Sequence, residues 1–378
     1  MQLDFHYYAT YCAAFIAGYS HEESLDIAYS AQFVDDCSRT LLAKIKGPSS
    51  AATTQLQLEL MEARTDPVGL QDITRIWSSF HFLPADLYAV KKNCSRFYLD
   101  KYRLICGPNG DLVVKTVENA KNKTLQAAGI AMHVLADTWA HAYFAGTPSL
   151  VINNTNYVFY ELFPEGDGFR EKQITFRHRK STPDDLENSI YTNSLYQRSE
   201  NTIMNLGHGR AGHLPDYSFV RYRYLPAWGE YREMVKDNPG DYMKAFTQMI
   251  HALKYIRGDL PSFEKNTYDT QAVSPWHDRI KEIIEKRQLI ASGDWKAFGE
   301  ELSGQAIPDY SLDRYFKEYT ESTGDRKEDT FLGKFIHGAL AHKGMVIEEI
   351  FRSKNLLAGF PREILKRKKA EIIEEERK

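Results

Sequence analysis

Residues Gly129 to Gly146, GIAMHVLADTWAHAYFAG, constrain this chain more than any other stretch. The run is apolar and helix-favouring, and it is interrupted at regular spacing by His133, Asp137 and His141. At about 100° per residue these three project within an arc of roughly 80°, so they share one helix face. The neighbours are Ala, Ile, Met, Val, Leu, Trp, Tyr and Phe, which predicts a buried helix. Ionisable groups in an apolar interior are paired or bind a metal. A His-x3-Asp-x3-His row supplies the N and O ligands that zinc-like ions take. The competing reading is a buried His–Asp–His network satisfied by other side chains.

Helix rise sharpens the metal reading. His133 and His141 lie about 12 Å apart along the axis at roughly 1.5 Å per residue. Metal–ligand distances are only about 2 Å. The row therefore suits two neighbouring ions, roughly 3.5–4 Å apart, with Asp137 between them.

At 378 residues the chain can bury a large core in one large or two medium units. A net charge of −3 argues against a broad duplex-binding surface. The start, MQLDFHYYATYCAAF, has no basic leader, and its apolar stretch from Tyr11 to Ile16 is too short for a signal or membrane helix. Cys12, Cys37, Cys94 and Cys106 form no CxxC pair, which fits free thiols in a reducing compartment. These features predict a cytoplasmic protein with no membrane insertion.

The fold expected is mainly α: a multi-helix, bundle-like domain with a small β-hairpin insertion. Ser20 to Glu23 reads as a capping box opening a helix to about Ile45. Leu56 to Ala63 and Leu70 to Ser79 fit strand or helix. One helix should run from about Val113 through the central row to Tyr143, broken or bent near Lys123. Ser149 to Lys180 alternates and is rich in β-branched and aromatic residues, which predicts the hairpin. Helices resume over Asp241–Ile256, Pro275–Ala291, Asp294–Leu302, Asp309–Glu321 and Gly333–Arg352, and Pro361 to Lys378 reads as a charged, solvated terminal helix. Residues 1–220 would form the metal-site domain, with 221–378 as further helices packed on it.

Further ligands should also stand in apolar surroundings. His6 lies in DFHYYATY with Asp4 nearby, Asp35 and Asp36 end AYSAQFVDD, and His81 sits in WSSFHFLPAD. The segment NLGHGRAGHLPDYSF adds His208, His213 and Asp216 on a glycine-rich loop, with Pro215 in the first turn of a new helix. Arg210, Arg221 and Arg223 follow closely. The run YSFVRYRY reads as a packed strand or helix face rather than a phosphate clamp.

The order of these blocks resembles the superfamily of zinc-dependent phospholipase C and the single-strand-specific zinc nucleases, over about residues 1–220. The matching positions are His6 in FHYYAT, Asp35 in QFVDD, His81 in FHFLPAD, then His133, Asp137 and His141, and a closing His213 and Asp216. The resemblance implies an all-helical fold and hydrolysis of phosphate esters by metal-activated water. It implies two to three ions of zinc or another divalent transition metal. His81, His133, Asp137 and Asp35 would hold one, His141, His213 and Asp216 another, and His6 a third. Asp35 and Asp137 would be the catalytic carboxylates, with Asp35 orienting the attacking water. The family offers its N-terminal amine and carbonyl as ligands, whereas this chain begins Met1-Gln2-Leu3; Asp4 would substitute, or the third ion would be absent. Pro215 splits the closing pair, which makes His208 the rival of His213. The substrate implied is a small phosphoester or nucleotide-type molecule, with oligomerisation left open. Two alternatives stand beside this: a nucleotide hydrolase of another His/Asp metal family, and a non-catalytic helical binding protein with a structural metal.

Overall fold

The computed structural model describes residues 1–156, 158–177, 183–193 and 205–359. The expected terminal helix over 361–378, and the end of the expected hairpin at His178 to Lys180, lie outside these residues.

The chain starts in a π-helical turn, Asp4–Ala9, that runs directly into helix α1 (Thr10–Ile16). Ser20 accepts the Glu23 N–H and the Glu23 carboxylate accepts the Ser20 N–H, and this capping box opens α2 (His21–Asp36). The expected continuation to Ile45 does not occur. Helix α2 stops at Cys37, and Ser38 caps a separate helix, Arg39–Lys44, by accepting from the Leu41 N–H. A serine hydroxyl placed to satisfy a new helix start competes with continuation.

Both ambiguous segments are helical: Gln57–Ala63, and α3 (Pro67–Phe80), which has Asp66 as its N-cap and Pro67 in the first turn. The long helix is broken where expected, near Lys123, into α4 (Asp111–Ala120) and α5 (Leu125–Ala140), with Thr124 capping the second. Farther on come α6 (Asn238–Arg257) and α7 (Phe331–Arg352), with shorter helices between them. The stretches expected over Pro275–Ala291 and Asp309–Glu321 shorten to His277–Glu285 and Phe316–Glu321.

Every residue of α5 from Gln126 to Ala140 is buried. It is enclosed by α2, α4, α6 and α7. Gly129 sets the closest approach, because a Cβ there would lie 2.3 Å from the Ile27 carbonyl oxygen and 2.5 Å from Ser30 Cβ on α2.

The protein is mainly helical, but the β part is more than the expected small hairpin. Strands β1 (Tyr160–Glu165) and β2 (Gly168–Gln173) pair antiparallel from Tyr160↔Gln173 to Glu165↔Gly168. Two short parallel strands follow, β3 (Thr175–Arg177) and β4 (Ile190–Thr192). Strand β5 (Arg221–Tyr224) adds to β1, and β6 (Met234–Asp237) adds to β5, giving a four-stranded antiparallel sheet of order β2-β1-β5-β6. The RYRY run is thus a strand whose tyrosines are buried. Its arginines pair with carboxylates, Arg221 with Asp237 and Glu285, and Arg223 with Glu171 and Glu233.

One apolar core draws on residues from Met1 to Ala358. A second lies on the sheet side and includes Phe82, Phe144, Phe159, Tyr222 and Tyr224. Phe82 follows His81, and Phe144 closes the turn after His141, so both histidines stand where the two cores meet. All four cysteines are free, and Cys12, Cys37 and Cys106 are buried. Among the described residues no helix is long and apolar enough to cross a membrane.

Candidate metal centre

Six elements deliver ionisable side chains to one place. The π-helical turn carries His6, the last turn of α2 carries Asp35, and the end of α3 presents His81 as its C-cap residue. Helix α5 carries His133 and Asp137 and ends with His141 as its own C-cap. The loop before β5 supplies His208, and the 3₁₀ turn Leu214–Asp216 supplies Asp216. Pro215 starts that single turn rather than a longer helix. Gly207 and Gly212 bracket His208 at φ +57° and +58°, and a Cβ on Gly207 would fall 2.2 Å from the Phe82 ring. Only glycine adopts that backbone so close to an aromatic face.

The ligand atoms fall into three groups, each within 4.8 Å: His6, His133 and Asp137; Asp35, His81 and His133; His141, His208 and Asp216. Asp137 joins them. Its Oδ2 lies 3.1 Å from His133 Nε2 and 3.4 Å from His81 Nδ1, and its Oδ1 lies 3.2 Å from His6 Nε2. Asp35 reaches the same ring nitrogens of His81 and His133 at 3.7 and 3.9 Å. His141 Nε2 is 3.2 Å from Asp216 Oδ1, and His208 Nε2 is 3.7 Å from the same oxygen.

Backbone carbonyls fix the tautomers. His133 Nδ1 donates to the Ala31 carbonyl at 2.8 Å, and His141 Nδ1 donates to the His81 carbonyl at 2.7 Å. His81 Nε2 donates to Thr53 at 3.0 Å, and His208 Nδ1 to Gly212 at 2.7 Å. A carbonyl only accepts, so in each neutral ring the other nitrogen is a lone pair. The lone pairs of His81 and His133 face Asp137 and one another, and that of His208 faces Asp216. His133 Nε2 and His81 Nδ1 lie 3.3 Å apart with their N–H groups already committed elsewhere. Acceptors facing acceptors in a buried space leave a place that a cation could fill, and a carbonyl behind each histidine is the usual outer shell of a metal ligand. Both ring nitrogens of His6 and the Oδ2 of Asp137 are buried without a hydrogen-bond partner. The donor set fits a zinc-like ion.

Burial favours the neutral form of three of these histidines. Burial pushes His6 down to about 4, reinforced by His133, and burial pushes His208 down to about 4 against the pull of Asp216. His81 is lowered by the same desolvation. Burial opposes a charge on His133 too, yet Asp137 and Asp35 raise it above the ordinary value. Burial likewise opposes ionisation of Asp137, but His141, the Met1 amine and His133 hold it well below the usual carboxylate range. The Asp216 carboxyl is held low by His208 and the Met1 amine despite its burial.

Three placements depart from expectation. The α-amine of Met1 enters the site, 2.9 Å from Asp137 Oδ1, 3.2 Å from Asp216 Oδ1 and 3.1 Å from His141 Nε2. Although the amine is buried, Asp137, Asp216 and Asp35 push its pKa up to about 11. No residue-type pattern reveals a terminal amine, and Asp4 is the group expected in its place. Asp4 does not substitute for it: its oxygens accept from the N–H groups of Phe5 and Ala291. His213 is not in any ligand group. Its side chain is 55 % exposed, and its Nδ1 contacts the outer oxygen of Asp216 at 3.2 Å, so His208 takes the inner position. Asp36, beside Asp35, is instead held by the Tyr310 hydroxyl at 2.7 Å, and Arg210 lies buried on the His208 loop with its Nε donating to Asn205.

Neither the curated proteins nor the solved structures include a match to this chain. Residues 1–350 match a family described as a family of unknown function, DUF6765, and the chain belongs to that family.

Proposed function

We propose that this protein is a metal-dependent hydrolase of phosphate esters, built around a centre of two to three zinc-like ions. The observation that carries the reading is the convergence of four carbonyl-oriented histidines on Asp35, Asp137 and Asp216, with Asp137 shared between neighbouring groups. Asp35, His81, His133 and Asp137 would hold one ion. His141, His208 and Asp216 would hold a second, and His6 with Asp137 is the place of a third. Divalent ions so close together supply Lewis acidity toward a phosphoryl oxygen and lower the pKa of a water molecule at neutral pH.

The protein's own residues divide the remaining work. Asp137 is 1 % exposed and Asp35 is 31 % exposed, so substrate meets the centre at Asp35. Asp35 orients the attacking water there and takes its proton. The Phe82 ring, stacked on His141 with centroids 4.8 Å apart, and Trp77, 5.0 Å from the His81 ring, keep the walls of the site dry. A dry wall strengthens every charge interaction inside it. A second reading, a purely structural metal, is favoured by the full burial of His6 and His133, but it gives no role to a ligand carboxylate left open to solvent.

The test is hydrolysis of bis-p-nitrophenyl phosphate and of nucleoside monophosphates by the zinc-loaded protein. Chelator-sensitive cleavage is expected, and Asp35→Asn should lower kcat by about 10²–10⁴ while ions remain bound. Loaded protein that cleaves neither class of ester would refute the hydrolase reading.

A further inference from the structure

We infer that Asn153 is the positioning residue of the second ligand group, the side chain that keeps His208 in register with His141. The inference rests on the metal-centre reading above and concerns a residue that supplies no ligand atom.

Asn153 ends the short helix Leu150–Asn153 and is 1 % exposed. Its Oδ1 accepts the Ala145 N–H at 2.8 Å. Its amide nitrogen donates to the carbonyls of Ala145 and Thr147, both at 3.0 Å, and of Asn205 at 2.8 Å. Ala145 lies just beyond His141, and Asn205 lies just ahead of His208. One side chain therefore joins the segment leaving the first ligand to the segment entering the second. Two backbone bonds complete the clamp: the Gly207 N–H donates to Ala145 at 3.1 Å, and the Ser149 N–H donates to Asn205 at 2.9 Å. The outcome is a pair of rings, His141 and His208, with centroids 4.8 Å apart, both packed on Phe82.

Every partner of Asn153 lies outside the helices and the four-stranded sheet, so the clamp acts on the two ligand-bearing segments rather than on the scaffold. None of the clamp's hydrogen bonds goes to Asp35, His81 or His133. Loss of Asn153 should thus separate the two groups functionally. Asn153→Ala removes all four bonds, and Asn153→Asp sets carboxylate oxygens against the three carbonyls that the amide served.

The experiment titrates chelator-stripped full-length protein with Zn²⁺ and with Co²⁺, reading stoichiometry by elemental analysis and ligand geometry from the visible Co²⁺ absorption. Wild type should take up at least two ions. Both Asn153 variants should bind one ion as wild type does and the next about 10–100-fold more weakly, the range for loss of an outer-shell partner. His208→Ala should reproduce the missing part of the Co²⁺ spectrum. Variants that fill both groups with wild-type affinity would overturn the inference while leaving the metal centre standing. So would variants that lose all ions in equal measure, or that are both unfolded by circular dichroism, because Asn153 would then support the fold and not one group. A wild type that binds no ion would overturn the metal-centre reading, and this inference with it.

Discussion

Replacing Gly129 with alanine probes how the scaffold holds His133. A Cβ on Gly129 would lie 2.3 Å from the Ile27 carbonyl oxygen, 2.5 Å from Ser30 Cβ and 3.0 Å from the Ala31 nitrogen. Carbon–oxygen contacts settle near 3.3 Å, so α5 and α2 must part by roughly 1 Å. At an open helix position the substitution would stabilise by about 1 kcal/mol. Here the obstruction is backbone, which puts the overpacking cost in the upper part of its range, about 2–3 kcal/mol, and leaves a net loss of about 1–2 kcal/mol. For 378 residues the unfolding entropy is about 0.8 kcal/mol/K, so Tm should fall by only about 1–3 °C. The larger effect should be on metal. The Ala31 carbonyl that orients His133, 2.8 Å from its Nδ1, sits in the same contact and recedes with α2. Zinc affinity of the first group should drop about 10–100-fold. Urea unfolding, with competition against a zinc chelator, measures both quantities. Gly129→Ala at least as stable as wild type, with unchanged zinc affinity, would refute the reasoning.

Three further outcomes are expected. Free zinc at 100 times its Kd should stabilise wild type by about 2.7 kcal/mol for each ion bound, and Asp137→Asn should remove the part of that shift due to the ions at His81, His133 and His6, which share its carboxylate; a shift retained in full in the variant would contradict the shared role. His208→Ala should cost one ion while His213→Ala costs none, and elemental analysis that gave the reverse would restore His213 as the ligand. Lys343, which donates to the carbonyls of Ser50 and Ala52, has its pKa pushed down to about 8 by burial, from 10.5. Between those values the folded protein sheds a proton that the unfolded chain keeps, so stability should rise with pH across that window; Lys343→Met should flatten the rise in urea-unfolding measurements at pH 7.5 to 10.5, and an unchanged slope would exclude Lys343 as its source.

Much of the candidate centre can be seen in the residues themselves. His133 and Asp137 stand out because a helix buried on every side has no solvent face to explain them. Asp35 and His81 stand out as ionisable groups among Phe and Trp. The choice between His208 and His213 is not visible in the same way. It depends on Gly207 and Gly212 holding positive φ, which turns the loop so that His208 faces inward and His213 outward. The break after Asp36 is a local contest in which the Ser38 cap prevails over a continuous apolar pattern. The four-stranded sheet is hidden for a different reason: β1 pairs with β5 some sixty residues later, and pairing of that range leaves no mark on local alternation. The carbonyls of Ala31, Thr53 and Gly212 are beyond any reading of side-chain types, yet they set which nitrogen of each histidine faces the centre.

The most direct test of the central claim is the metal content of untagged protein, measured by elemental analysis alongside His133→Ala and Asp137→Asn. Wild type should carry two or more equivalents of zinc or a similar divalent ion, with a marked loss in both variants. Wild-type protein that carries no ion and gains no stability when any is added would contradict that claim, and the His133, Asp137 and His141 row would then be a buried polar network.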